Sequence, residues 1–393
     1  MNPCRLRSVL RSSALAALFP AAACADGGPT AALPPGPTSG YAGIAIGIHH
    51  GCGIVVGEGA FCWGTDVAGE LGDGTLSSSF VPVRVIGGSD FVAVSLAAGH
   101  SCALASNGAA WCWGSGARGA LGVGDTADRA VPSAVAGGLT FRAIDAGGAF
   151  TCGIDGSGAA WCWGANSQGQ LGNGMRTDSA VPVRVAGGGE YLAISAGAAH
   201  ACAIEADGGA RCWGANRYGG LGDGTTESRA EPVAVRGRGD FVGIAAGASH
   251  SCGLASDGSV WCWGENAAGQ LGDGQPGPGP HIFRAEPVRA ALPVPAVQIE
   301  AGTGHSCALG TQGSAYCWGW NVDGQIGDGE IGIHPTPSRV ATPERFVRLT
   351  AGLASGCGIS ADGRAWCWGR NEDGELGDGT AEHHRFPGPV LLP

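Results

Sequence analysis

Fourteen cysteines in this chain fall into seven pairs whose members stand ten residues apart: Cys52 and Cys62, Cys102 and Cys112, Cys152 and Cys162, Cys202 and Cys212, Cys252 and Cys262, Cys307 and Cys317, Cys357 and Cys367. The pairs advance by 50 residues, except for one 55-residue step between Cys252 and Cys307. A fixed period of this length marks stacked supersecondary units, none of which can bury its apolar face alone. One unit contains Phe241-Val242-Gly243-Ile244, His250-Ser251-Cys252-Gly253-Leu254, Val260-Trp261-Cys262-Trp263-Gly264 and Pro287-Val288. Each apolar run has strand length and is bounded by turn residues. The spacing predicts four strands per unit, and the 75 glycines among 393 residues punctuate those strands without any Gly-X-Y register. Near-continuous apolar runs such as Phe91-Val92-Ala93-Val94 suit sheets covered on both faces. A solenoid needs atypical capping units, which neither end shows, whereas a closed ring needs none. The expected fold is all-β, a seven-bladed β-propeller of four-stranded blades. Each blade is contiguous within residues 41–393, with a circularly offset frame that shares strands between the two ends as the alternative.

A second pattern repeats after the cysteines. In the fifth unit it reads Trp263-Gly264-Glu265-Asn266-Ala267-Ala268-Gly269-Gln270-Leu271-Gly272-Asp273-Gly274. With the preceding His250-Ser251 pair, it resembles the regulator of chromosome condensation repeat family, over all of the chain beyond roughly the first forty residues. The resemblance implies a seven-bladed propeller. The second unit departs, with Gly116 for Asn and Val123 for Asp, so its loop is expected to differ. The family's eukaryotic namesake promotes nucleotide exchange on a small GTPase and binds chromatin. Some secreted bacterial proteins with this propeller are similar in inhibiting extracytoplasmic enzymes.

The midpoint of each cysteine pair falls on a three-residue connection such as Ser106-Asn107-Gly108, with glycine third in every unit except the first, Val56-Gly57-Glu58. A type I turn followed by a left-handed bulge residue requires glycine there, and counting outward sets Cys102 opposite Cys112. Direct opposition across an antiparallel pair permits a disulfide. Seven intrablade disulfides are therefore expected, with slippage in the first unit. The alternative is metal, because His100, Cys102 and Cys112 would share one sheet face as zinc-type ligands. Phe150 and Ser355 replace that histidine in units three and seven while both cysteines persist, which favours the disulfides. No cofactor is expected.

Arg5, Arg7 and Arg11 precede a short apolar stretch, Ala14 to Phe19, and then Ala21-Ala22-Ala23-Cys24. Residues 1–23 read as a signal peptide. Cys24 resembles the lipid acceptor of exported bacterial proteins, although Ala21 stands where that motif has Leu. Residues 24–40 contain Pro-Pro-Gly-Pro and read as a flexible tether. Loss of residues 1–23 moves the formal charge from -11 to -14, which disfavours a nucleic-acid partner. The expected location is outside the cytoplasm, as a cell-envelope lipoprotein or a secreted protein.

No Gly-x-Ser-x-Gly elbow or phosphate loop is present. His50, His100, His200, His250 and His305 recur at one repeat position and read as buried imidazoles bonded to backbone. The Trp-Gly tryptophans, Trp63 through Trp368, read as core. Acids such as Asp73, Asp223 and Asp378 are explained by turn formation. Residues that break the repeat are better functional candidates. They are His281, Ile282, Phe283 and Arg284 in the insertion, with Ile282 and Phe283 taken as exposed, together with Arg217, Tyr218, Trp320 and His383-His384. The expected function is that of a monomeric, non-catalytic scaffold that binds an unidentified protein and meets a membrane only through a lipid on Cys24. Alternatives are an enzyme inhibitor, a glycan-active enzyme using nonrepeated acids at one channel mouth, and guanine-nucleotide exchange, which export, acidity and paired cysteines oppose.

Overall fold

A computed structural model describes residues 37–275 and 282–393. The signal-peptide segment, Cys24, all but the last four residues of the tether, and His281 lie outside the described residues. The chain forms seven four-stranded antiparallel sheets, each contiguous in sequence, so the circularly offset frame does not apply. The blades cover residues 41–84, 91–134, 141–184, 191–234, 241–289, 296–339 and 346–389. Among the described residues the only helical elements are two three-residue turns, Gly88–Asp90 and Ala117–Gly119.

The inner strands, such as Tyr41–Ile46, surround a central channel. The second strands are the most deeply covered: in His100–Ala105 and Ser355–Ser360 every residue is buried. There is no single core. Seven apolar clusters each fill the seam between two adjacent blades, and the one that joins Tyr41, Phe61 and Trp63 to Val347, Ile359 and Leu376 closes the ring. Burial at those seams is the main stabilising term. Closure is reinforced where Tyr41 N donates to Gly363 O (2.8 Å) and Tyr41 OH to Leu391 O (2.7 Å).

All seven Trp-Gly tryptophans are fully buried. Six donate Nε1 to a loop carbonyl of the preceding blade, as Trp318 does to Gln270 O at 2.9 Å. Trp163 has no such partner among the described residues. This contact explains the glycine that follows Leu or Ile in all seven loops. Gly272 sits at φ +68°, and a Cβ there would lie 2.7 Å from Trp318 Nε1, so only glycine meets both demands.

Every cysteine pair is joined, with Cα atoms 4.0–4.1 Å apart. The turn reading holds, since Gly108 takes φ +83° and Cys102 stands directly opposite Cys112. The first unit corrects the expectation of slippage: Cys52 opposes Cys62 in the common register. Gly57 and Gly59, at φ +78° and +96°, flank Glu58 and take the left-handed conformations that it avoids.

The periodic histidines are buried as expected, but four of the five bond to a side chain rather than to backbone, while His305 lies beside the Ser355 backbone. His50 Nε2 meets Ser101 Oγ, His100 meets Thr151, His200 meets Ser251 and His250 meets Ser306, all at 2.8–2.9 Å. Each bond crosses to the next blade. Burial holds these imidazoles neutral, with His50 and His250 lowered to about 3 and His100 and His200 to about 4.

Candidate functional site

Strand direction decides which loops share a face. The loop after the inner strand and the long loop between the third and outer strands open on one side, tied together by bonds such as Ala215 N to Ala199 O at 2.9 Å. The hairpins and blade-to-blade connections occupy the other side, tied by bonds such as Phe241 N to Gly208 O at 2.9 Å.

The motif Asn-x-x-Gly-x-Leu-Gly-Asp-Gly folds the long loops of blades 3 to 7 around a buried asparagine, whose place Asp66 takes in blade 1. In blade 4, Asn216 Oδ1 accepts from Leu221 N (2.9 Å), while Nδ2 donates to Asp223 Oδ1 (3.2 Å) and to the Thr225 and Glu227 carbonyls (3.2 and 3.1 Å). Asp73, Asp223, Asp273, Asp328 and Asp378 each accept the backbone N–H two residues on, as turn residues do. Blade 2 departs as expected. Ala127 O lies 2.2 Å from where a Gly116 Cβ would be, which excludes a side chain, and Arg118 adopts φ +62° while pairing with Asp178 at 2.8 Å.

The described repeat-breaking candidates lie on the long-loop face, most of them on blades 4 to 6, with His383 and His384 where the long loop of blade 7 meets its outer strand. Arg217, exposed, stacks over the Tyr218 ring at 5.4 Å in blade 4. That loop rests on blade 5, where Gly219 approaches Ala285 and Gly224 N donates to Ala285 O at 2.9 Å. Ile282, Phe283 and Arg284 are half-buried rather than exposed. The physical reason is strand pairing: Phe283 and Arg284 begin the outer strand opposite Glu265 and Gly264, and Ile282 O accepts from Asn266 N at 2.7 Å. Arg284 also pairs with Asp273 at 3.6 Å. In blade 6 the hairpin is prolonged, pairing Trp320 with Ile333. Trp320 is 44% exposed, and Val322, Ile331 and Ile333 stand open beside it at 53%, 55% and 48%. Sequence reasoning missed those three, although apolar residues in a turn-forming stretch such as Asp328-Gly329-Glu330-Ile331 are a readable departure.

The channel holds a second set that the sequence reading missed. One register position of each inner strand, the residue opposite the first cysteine of its blade, reads Ala45, Ser95, Asp145, Ser195, Ala245, Glu300 and Thr350, and all seven line the channel. Ser95 Oγ donates to Asp145 Oδ1 (2.8 Å), and Asp145 Oδ2 accepts from Ala196 N (2.7 Å). Glu300 Oε1 accepts from Gln298 Nε2 at 2.7 Å. Burial pushes the Glu300 carboxyl up to about 8, with the Asp145 charge adding and the Gln298 bond opposing; burial raises Asp145 as well. Lined up by register, these two acids break an otherwise small or hydroxylic series, a signal present in the sequence but unreadable without the blade frame.

The RCC1-like domain family model matches residues 59–393. Yeast RCC1 (Prp20), solved bound to Kap60, is similar at 21% identity over 88% of this chain and 85% of its own, with a TM-score of 0.76. Human WBSCR16 is similar at 19% identity over 85% and 94%, with a TM-score of 0.76. The ectodomain of the Physcomitrella patens receptor kinase CR4 is similar at 21% identity over 84% and 74%, with a TM-score of 0.52. No curated protein matches the chain in sequence.

Proposed function

The chain belongs to the RCC1-like domain family, and from that premise we propose that it is an exported, non-catalytic scaffold that binds a protein partner through the long-loop face of blades 4–6. The observation that carries this reading is the gathering of Arg217, Tyr218, Phe283, Arg284 and Trp320 on adjoining blades of one face, beside exposed Val322, Ile331 and Ile333. Arginine, tyrosine and tryptophan supply much of the binding energy of protein interfaces, and contiguous apolar exposure on a soluble surface marks contact sites. Seven disulfides fit an oxidising compartment. Residues 1–23 would direct export, Cys24 would carry a lipid, and the segment to residue 40 would space the ring from the membrane. His281 would extend the binding loop. A protein with this fold, yeast RCC1, was solved with Kap60 bound to it, and the fold also forms part of a receptor ectodomain. The net charge of -11 supports a protein partner over nucleic acid.

The nonrepeated channel acids favour a glycan-active enzyme as the second reading. Both oxygens of Asp145 are engaged with Ser95 and Ala196, which counts against it as a free base or nucleophile. A photo-crosslinking residue at position 320, compared with one at position 207 in the opposite-face hairpin of blade 4, tests the scaffold reading in the native host. The expected result is a discrete protein adduct from position 320 alone, lost in an Arg217→Ala, Tyr218→Ala background. Equal labelling from both faces, or none from either, overturns it.

A further inference from the structure

The channel is a formed cavity of about 420 Å³, within the range of small-molecule sites. Its wall is aliphatic, contributed by Ile44, Ile144, Ile194, Ile244 and Leu349 among others, and it opens along the half of the inner strands that leads to the long-loop face. Among the described residues, Asp145 and Glu300 are the only ionisable side chains that line it, with no Arg or His beside them. They come from blades 3 and 6 of the ring and so face one another across it.

The two acids differ in what they do for the fold. Asp145 occupies the place of Ser95 and Ser195, each of which accepts the backbone N–H of the next blade: Ala146 N to Ser95 at 2.9 Å, Ala196 N to Asp145 at 2.7 Å and Ala246 N to Ser195 at 3.0 Å. Asp145 is thus partly a pin between blades. Glu300 is not, because Gln298 takes over the bonding to blade 7 through Leu349 N (3.0 Å) and Leu349 O (2.8 Å). Glu300 is half-buried, exposed only to the channel, and its Oε2 has no hydrogen-bond partner among the described residues. A carboxylate held in such a place without counter-charge is unfavourable, and a cation relieves it. The donor set is wrong for a metal. Hard divalent ions take six or more oxygens, and no group of three metal-binding side chains exists among the described residues. The aliphatic wall instead suits a cation that carries a hydrocarbon stem.

We propose that the channel binds a small aliphatic ammonium compound, its charged end against Glu300 and Asp145 and its hydrocarbon chain along the isoleucine ring. The carboxyl of Glu300 is largely protonated at pH 7 because burial raises it to about 8. Binding therefore releases a proton: the neutral acid and the ammonium ion become a carboxylate–ammonium pair and a free proton.

The test is calorimetric titration of the purified protein with n-butylammonium and with 1,4-diaminobutane at pH 7, in two buffers of different ionisation enthalpy. Saturable binding with proton release is expected, and no binding of magnesium. Glu300→Gln should abolish the proton release and weaken binding by about tenfold or more, the loss of one charge-assisted bond. Asp145→Ser, which keeps the interblade acceptor used in blades 2 and 4, should weaken it with the fold intact by thermal melting. If Glu300→Gln fails to fold, Glu300→Thr, the residue type at this register in blade 7, replaces it. No saturable binding of either amine, affinity unchanged in both variants, or displacement of the amine by magnesium overturns the proposal.

Discussion

The seam between blades 4 and 5 and the seam between blades 6 and 7 are built from the same repeat, yet only one is satisfied. In the first, His200 meets Ser251, and Ser251 Oγ passes its own hydrogen to Gly220 O at 2.9 Å, the carbonyl that also receives Trp263 Nε1. In the second, Gly356 stands where the hydroxyl residue should be, and among the described residues the fully buried His305 has no side-chain partner and no well-aligned hydrogen bond, only the Ser355 backbone nearby. The seam between blades 3 and 4 shows a third solution, in which Phe150 and Ala201 replace histidine and serine together. The lesson is that a buried polar pair is tolerated whole or absent, while half a pair leaves a desolvated group without compensation.

Acid should expose this difference most strongly. All five imidazoles are neutral in the folded ring, lowered to about 3 or 4 from 6.5 mainly by burial. A lowered histidine pKa means that the unfolded chain binds more protons, so stability is full above about pH 6.5 and is lost as pH falls toward 4. Each histidine contributes a slope of up to about 1.4 kcal/mol per pH unit. Glu300 acts in the opposite sense, weakening the fold as pH rises from 4.5 toward 8. Urea midpoints between pH 7 and 4.5 should fall steeply, and His305→Phe should flatten the slope by one histidine's share; a flat profile would mean that the imidazoles are not held neutral.

Breaking the satisfied seam comes next. Ser251→Ala orphans His200 and should lose about 1–3 kcal/mol in urea unfolding. Adding His200→Phe, which copies the third seam, should restore most of it. If the double variant is as weak as the sum of the singles, the two residues do not act as a pair.

Mending the defective seam has the smallest effect. His305→Phe should stabilise the ring at pH 7 by about 1 kcal/mol, since it removes an uncompensated polar group. Gly356→Ser supplies the missing hydroxyl but should gain less, because its Cβ would approach Trp368 Cε2 to 2.9 Å. Thermal melts that rank serine above phenylalanine would reverse that account.

The fold was largely legible. The hairpin turns at Ser106-Asn107-Gly108 and its counterparts set the cysteine register locally, because strand pairing across a three-residue connection needs no information from elsewhere in the chain. The candidate surface was legible in part. Trp320 and Arg217 stand out as departures from the repeat, and the structure places both on the face of Phe283. Ile282 and Phe283 were misjudged, because an insertion looks like a free loop until its end is seen paired with Glu265. Val322 and Ile333 became visible only when the blade 6 hairpin showed itself longer than its neighbours.

What the sequence determined by itself is everything that depends on short separations: four strands per unit, seven units, the disulfide pairs and the asparagine-centred loops. Tertiary structure decided what lies about fifty residues or more apart, such as His200 beside Ser251 and Tyr41 against Gly363. Asp145 and Glu300 in one channel belong with these. Those meetings follow from closing a ring of near-identical blades, which brings the same register position of different repeats together and turns a single departure such as Gly356 or Glu300 into an unshared hydrogen bond.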